Sequence, residues 1–213
     1  RGRSVVDSSP FLRHVLTLMT GTAVAQGVTF FMMIVLARIY TPRDMGLLAT
    51  YVSVASILVA VAALRYDMAI MLPRKEPEAL SVARLGMVCL TAVSLLATAA
   101  SLPLSGLIER QWGHEVALWM PLVGLTTFLM SAVELFKYWF NRNSDYRAIA
   151  VNQAEQQIGL TSGQLVLGAA GMGGMAGLIL GHTAGQIFAF VNLGRQAKPL
   201  WRRLPEGAPS LRW

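Results

Sequence analysis

The sequence predicts an all-α membrane protein with six transmembrane helices and both termini in the cytoplasm. Six stretches of about 20 mostly uncharged residues are each long enough to cross a bilayer. They lie near residues 15–37, 46–64, 86–104, 117–136, 150–170 and 174–193. Fifteen of the 18 lysines and arginines fall in the two tails and in the second and fourth loops. This alternation follows the positive-inside rule over six crossings.

Composition excludes an ordinary soluble domain. The chain is 54% hydrophobic and 14% charged, with a mean hydropathy of +0.52, whereas charged residues make up about 25% of typical soluble domains. The net charge of +7 could indicate nucleic-acid binding. We expect no such partner, because the basic residues cluster at the predicted membrane edges, where anionic membrane lipids attract them. The sequence therefore predicts a multi-pass protein of the bacterial inner (plasma) membrane.

The first loop has the signature of a helix start. Thr41 is suited to the N-cap, Pro42 to the first helical position and Asp44 to the third, as in a capping box. The sequence therefore predicts a tight turn and an antiparallel hairpin of the first two spans.

The second loop contains an apolar stretch at 68–73 that is too short to span a bilayer, and we expect it at the cytoplasmic interface. Pro77 and Glu78 predict a helix start that runs into the third span. Residues 1–195 are predicted to form one six-helix lobe. Residues 196–213 are basic and contain three prolines, which predicts a cytoplasmic linker or tail.

Glycines recur every four residues in the sixth span, at Gly173, Gly177, Gly181 and Gly185. The fifth span has a shorter version in Gly159 and Gly163. Small residues at this spacing let helices approach closely in lipid, so the glycines predict packing.

The fifth span carries an amide stripe, Gln153, Gln157 and Gln164, within about 40° on one helix face. Lipid-facing glutamine is costly, so this face should line protein or water. The stripe favours a hydrophilic cavity for a sugar-like or otherwise polar cargo. Hydrogen bonding between helices is the alternative.

Three ionisable residues near the membrane are candidates for proton or sodium coupling: Glu134, Glu155 and His182. The alternatives are a surface pair of Glu134 with Lys137 and a hydrogen-bonded His182. Arg65, Arg142 and Arg147 could meet a lipid pyrophosphate, since a guanidinium fork matches phosphate oxygens. Simple membrane anchoring is the other interpretation of these arginines.

Signals of an enzyme are missing from the sequence. The three histidines have no metal-ligand spacing, and there is neither a nucleophile elbow nor a P-loop. We therefore expect no catalytic residue, no metal and no cofactor.

Four motifs, in order along the chain, resemble those of polysaccharide-biosynthesis membrane proteins of the O-antigen flippase type. They are LARIYTPRDMG at 36–46, LRYDMAIMLP at 64–73, NRNSDYR at 141–147 and GMAGLILG at 174–181. The resemblance implies the multidrug/oligosaccharidyl-lipid/polysaccharide exporter fold, in which two six-helix lobes surround a central cavity and alternate between inward-open and outward-open states. This chain would then be the N-terminal lobe, joined to a second six-helix lobe or a partner chain.

The resemblance also implies a cargo, an undecaprenyl-pyrophosphate-linked oligosaccharide flipped from the cytoplasmic to the periplasmic leaflet. On this hypothesis Arg65, Arg142 and Arg147 attract the pyrophosphate, and amides contact sugar hydroxyls. Those amides are Gln26, Gln153, Gln157 and Gln164. Two alternatives stay open: an ion-coupled exporter of small amphipathic compounds, and a non-transporting scaffold in a polysaccharide-synthase complex.

Overall fold

The computed structural model describes residues 10–62 and 66–202, and these form helices and connections without a strand. The helices are α1 (Pro10–Ile39), α2 (Pro42–Ala62), α3 (Tyr66–Ala69), α4 (Glu76–Ser101), α5 (Ser105–Trp112), α6 (His114–Trp119), α7 (Val123–Arg142), α8 (Tyr146–Ala169) and α9 (Gly174–Arg202). A single 3₁₀ turn, Met120–Leu122, joins α6 to α7. The predicted all-α class is thereby confirmed.

Four helical segments are long and apolar enough to cross a membrane: Pro42–Ala62, Glu76–Ser101, His114–Arg142 and Gly174–Ala197. By length and composition, the chain is a membrane-embedded protein. The described apolar part of α1 is shorter, Thr29–Ile39, and α8 is long but rich in amides. The six ranges predicted from the sequence each fall largely within one long helix.

The connections lie alternately at two ends of the helical bundle. At one end, Arg43 of the α1–α2 turn lies 3.5 Å from Glu115 of α6. At the other, Arg142 Nη1 donates to the Ile70 carbonyl at 2.9 Å, which joins α7 to the segment after α3. We call the second end the basic end, since its described cationic side chains outnumber those opposite. They are Arg74, Lys75, Arg84, Lys137, Arg142, Arg147 and Arg195, against Arg38, Arg43 and Arg110.

The long helices pack in two groups. In the first, α8 lies between α1 and α9, and in the second, α7 contacts both α2 and α4. Helix α9 joins the groups, because it also contacts α7 and α2. The largest apolar cluster lies within the second group and includes the buried side chains of Ile70, Leu90, Leu135 and Trp139.

The α1–α2 turn has the predicted cap but not the predicted hairpin. Asp44 Oδ2 accepts from the Thr41 N–H at 3.0 Å, and the Asp44 N–H donates to Thr41 Oγ1 at 3.3 Å. The two helices then diverge: α1 packs on α8, whereas α2 packs on α7 and α9. The hairpin prediction was wrong, because a cap fixes where a helix begins and leaves its packing partner undetermined.

Helix α4 begins at Glu76 and continues to Ser101, which confirms the predicted start near Pro77. The apolar stretch before it differs along its length, because Ile70 is fully buried in the apolar cluster while Leu72 is 81% exposed; its interfacial position stays a prediction. Helix α9 continues to Arg202, into the region predicted as a linker. Its extra turns are stabilised by Leu193 and Ala197, which pack against aromatic side chains of α7.

The glycines of α8 and α9 bring the backbones of these two helices into close contact. A Cβ placed on Gly181 would lie 2.4 Å from the Gln164 nitrogen, and one on Gly185 would lie 2.4 Å from the Leu160 nitrogen. A Cβ on Gly163 would meet the Gly181 carbonyl oxygen at 2.8 Å. The packing role predicted for the glycine ridge is confirmed, except at Gly173, which faces open space.

Candidate functional site

Helix α8 is the most polar of the long helices and carries half of the candidate residues. Its N-terminus is fixed by Asp145, whose side chain accepts from the Ala148 N–H at 3.1 Å. Because α8 lies between α1 and α9, it has a long helix on each of two sides.

Toward α9, α8 makes an interhelical hydrogen-bond set. Gln156 Nε2 donates to Gln186 Oε1 at 2.9 Å, and Asn192 Nδ2 donates to Glu155 Oε2. Asn152 is fully buried, and its Nδ2 donates to the Ala189 carbonyl at 3.4 Å. Asn152 and Gln156 were not predicted from the sequence. Their four-residue spacing, which puts them on the same helix face as Gly159 and Gly163, was the signal that could have placed them at the α9 interface.

The three glutamines of the predicted amide stripe have different surroundings. Gln164 is 6% exposed; its Nε2 donates to the Leu178 carbonyl at 3.3 Å, and its main-chain carbonyl accepts from the Tyr40 hydroxyl at 2.8 Å. Hydrogen bonding between helices therefore accounts for Gln164, and the prediction that it lines a hydrophilic cavity is not supported. Gln153 and Gln157, about two and three turns from the start of α8 at the basic end, are half-buried, and Gln26 of α1 is exposed.

Tyr40 holds the α1–α2 turn against α8 and α9. Its ring is buried with Leu36 and Leu178. Burial, and secondarily the Asp44 carboxylate, raises the pKa of Tyr40 above its ordinary value. The phenol therefore stays protonated at neutral pH and donates to the Gln164 carbonyl.

The three coupling candidates have different surroundings. Glu134 Oε1 accepts from Lys137 Nζ at 2.8 Å, which is the surface pair considered as its alternative. Glu155 accepts from Asn192 of α9. His182 has a buried Nε2 atom with no hydrogen-bond partner among the described residues. Within residues 10–62 and 66–202, no hydrogen bond or ion pair joins the three into one relay, so coupling stays a prediction for each.

The candidate arginines do not converge. Arg142 is half-buried and bonded to the Ile70 carbonyl, whereas Arg147 is exposed on the first turn of α8. Arg65 lies outside the described residues.

Two adjoining clefts open at the basic end. The larger, about 610 Å³, lies between residues of 71–76 and residues of 141–146; we call it the basic-end cleft. The smaller, about 290 Å³, is lined by Glu134, Lys137 and Tyr138 among others. Both clefts share Asn141 and Tyr146, so one polar surface runs from the α3–α4 connection across the end of α7.

A third depression, at the opposite end, is apolar. It measures about 480 Å³ and lies among α2, α4, α5 and α7, with Leu58, Leu107 and Trp112 in its walls. Gln111 supplies one of its few polar side chains. None of the predicted glutamines lines any of the three depressions.

The described residues contain no group of three or more His, Cys, Asp or Glu that could hold a metal ion. Comparisons of the chain with protein-family models, with curated proteins and with solved structures find no match.

Proposed function

We propose that this chain is one six-helix lobe of a bacterial inner-membrane transporter that flips an undecaprenyl-pyrophosphate-linked oligosaccharide by alternating access. A second six-helix lobe or a partner chain would complete the cavity. The observation that carries the proposal is the polarity of α8. Its half-buried amides Gln153 and Gln157 lie in a helix flanked by α1 and α9 within a membrane-embedded bundle.

The amides of α8 support a sugar-binding surface for a physical reason. A glutamine side chain offers both donors and an acceptor, as sugar hydroxyls require. Gln157 and Gln153 are half-buried, so they combine partial shielding from lipid with an accessible surface. We assign these two amides to the oligosaccharide and leave Gln164 as a helix-packing residue.

The basic end supports binding of the pyrophosphate. Arg142 lies in the last turn of α7, where a cation interacts favourably with the helix dipole. Exposed Arg147 follows on the first turn of α8. A cargo lipid that enters from this end would meet the arginines before its sugars reached the α8 amides.

The experiment is a complementation assay of surface polysaccharide in a host that lacks its own copy of the gene. The full-length protein with Gln153→Ala and Gln157→Ala should export several-fold less polysaccharide at equal membrane abundance. The matched control is Gln196→Ala, which removes an exposed amide from α9. Wild-type export by the Gln153/Gln157 variant would remove α8 from the cargo path.

The apolar depression at the end opposite the basic end favours a second candidate, an ion-coupled exporter of small amphipathic compounds. Its walls of Leu58, Leu107 and Trp112 suit an aromatic or aliphatic compound better than a glycan. Leu107→Gln should lower efflux of a lipophilic dye and leave polysaccharide export unchanged if this candidate is correct. The opposite pattern would favour the oligosaccharide.

A further inference from the structure

We propose that the basic-end cleft binds the phosphate group of a lipid headgroup, with Arg74 and Arg142 as its cationic contacts. The two arginines belong to opposite walls, Arg74 to the α3–α4 connection and Arg142 to the end of α7. Glu76 is the only carboxylate among the lining residues. The lining therefore carries a formal excess of positive charge, which complements an anionic phosphate.

Arg142 is held in position for this contact. Its bond to the Ile70 carbonyl occupies one of the five N–H donors of a guanidinium. No other described residue accepts from Arg142. The remaining donors form a planar fork that matches two phosphate oxygens. Because Ile70 is fully buried, the wall that orients Arg142 is anchored in the apolar cluster.

Arg74 supplies the second charge. It is exposed and forms no hydrogen bond or ion pair with any other described residue. The neighbouring cation Lys75 instead lies 3.8 Å from Glu78, and Lys137 is paired with Glu134 in the smaller cleft. Arg74 and Arg142 are thus the cations that the basic-end cleft has available.

The rim of the cleft indicates a lipid rather than a free anion. Leu72 and Met71 line the cleft and are 81% and 45% exposed. Large apolar side chains directly beside an arginine suit the membrane interface. There, an acyl chain covers the apolar side chains and the phosphate headgroup contacts the arginine. Ile70, Leu72 and Arg74 thereby provide an anchor, a chain contact and a phosphate contact in one short segment.

The inference shares Arg142 with the proposed pyrophosphate contact but does not depend on the proposed cargo, because any lipid with an anionic phosphate headgroup presents this chemistry. Anionic glycerophospholipids and polyprenyl diphosphates are its two sources, whereas phosphatidylcholine, with no net charge, is the control and should bind more weakly. The test is native mass spectrometry of the full chain in detergent, titrated with phosphatidylglycerol, a polyprenyl diphosphate, or phosphatidylcholine. Glycerol phosphate, a headgroup without chains, is added as competitor.

Arg74→Gln should lower phosphatidylglycerol affinity about fivefold, the effect typical of one cation at a membrane surface. Arg142→Gln should lower it at least as much, and Arg142→Lys, which keeps the charge and can still bond Ile70, should lower it less. The control is Arg84→Gln, an exposed cation of α4 that does not line the cleft. Leu72→Gln should weaken the binding of phosphatidylglycerol and leave the binding of glycerol phosphate unchanged.

Equal losses of phosphatidylglycerol affinity in Arg74→Gln and Arg84→Gln would overturn the proposed site, since any cation near the cleft would then contribute equally to lipid binding. Glycerol phosphate that binds as tightly as phosphatidylglycerol would overturn the role of Leu72. Binding of phosphatidylglycerol without polyprenyl diphosphate would support the lipid site and exclude this cleft as the entry point of the proposed cargo. Binding of both, weakened by the same variants, would support the site and the cargo together.

Discussion

The α8–α9 and α4–α7 interfaces are built in different ways within one bundle. Between α8 and α9, the glycines at 159, 163, 181 and 185 bring the two backbones together, and side-chain amides bond across the contact. Between α4 and α7, large apolar residues such as Leu90 and Leu135 fill the space. Gly124 gives this second interface one close approach, toward Ser94 and Thr98 of α4.

The difference follows from the solvent. Lipid tails are as apolar as leucine, so burying leucine between two membrane helices yields no hydrophobic gain over leaving it in lipid. Close backbone packing and interhelical hydrogen bonds supply the attraction instead. The α8–α9 interface uses both. The α4–α7 interface has one close backbone approach, at Gly124, and otherwise depends on how well large side chains fit one another.

The strongest test of this contrast is a large side chain at the glycine contact. Gly181→Leu should separate α8 from α9, because even its Cβ would lie 2.4 Å from the Gln164 nitrogen. Overpacking usually costs about 1–3 kcal/mol, and backbone overlap belongs at or above the top of that range. Size-exclusion profiles after heating in detergent would report the loss of thermal stability.

Gly173→Leu is the matched control, since a side chain at that position meets open space. It should keep the wild-type melting temperature. If both variants were equally stable, the glycine ridge would not be the contact that holds α8 to α9.

A cavity at the α4–α7 interface should have the next largest effect. Leu135 is fully buried in the apolar cluster, and Leu135→Ala should cost about 2–4 kcal/mol through lost contacts and residual cavity. Leu125→Ala, on the same helix but 43% exposed, is the control and should cost much less. Equal costs, measured by unfolding in mixed micelles, would contradict tight packing at this interface.

The sequence predicted well the features that are local. The Thr41–Asp44 cap, the α4 start near Pro77 and the glycine ridge each depend on residues within one or two turns of one another. The pairing of α1 with α8 depends on residues more than a hundred positions apart, such as Tyr40 and Gln164. No periodicity within either helix encodes that pairing.

The candidate site was predictable only in part, for the same reason. A helix wheel placed Gln153, Gln157 and Gln164 on one face, yet a wheel does not show which neighbour covers each turn. The structure covers Gln164 with α9 and leaves Gln153 and Gln157 half-buried. The basic-end cleft was missed because Arg74 and Arg142 meet only when α7 ends beside the α3–α4 connection.

The smallest expected effect lies in the hydrogen bonds across the α8–α9 interface. Gln156 Nε2 and Gln186 Oε1 are 2.9 Å apart in a half-buried setting. A double-mutant cycle of Gln156→Leu and Gln186→Leu, in unfolding measurements in mixed micelles, should give a coupling of about 0.6 kcal/mol. The coupling is modest because glutamines in the unfolded, membrane-embedded state also find partners.

A parallel cycle of Gln157→Leu with Gln186→Leu is the control. Gln157 lies about 100° around α8 from Gln156, and among the described residues no hydrogen bond joins its side chain to Gln186, so this pair should show no coupling. A Gln156–Gln186 coupling near zero would mean that backbone proximity at the glycines alone holds the helices together. A coupling well above 1 kcal/mol would instead make the amides equal partners in the interface. Either result would change how far the two interfaces of this bundle differ.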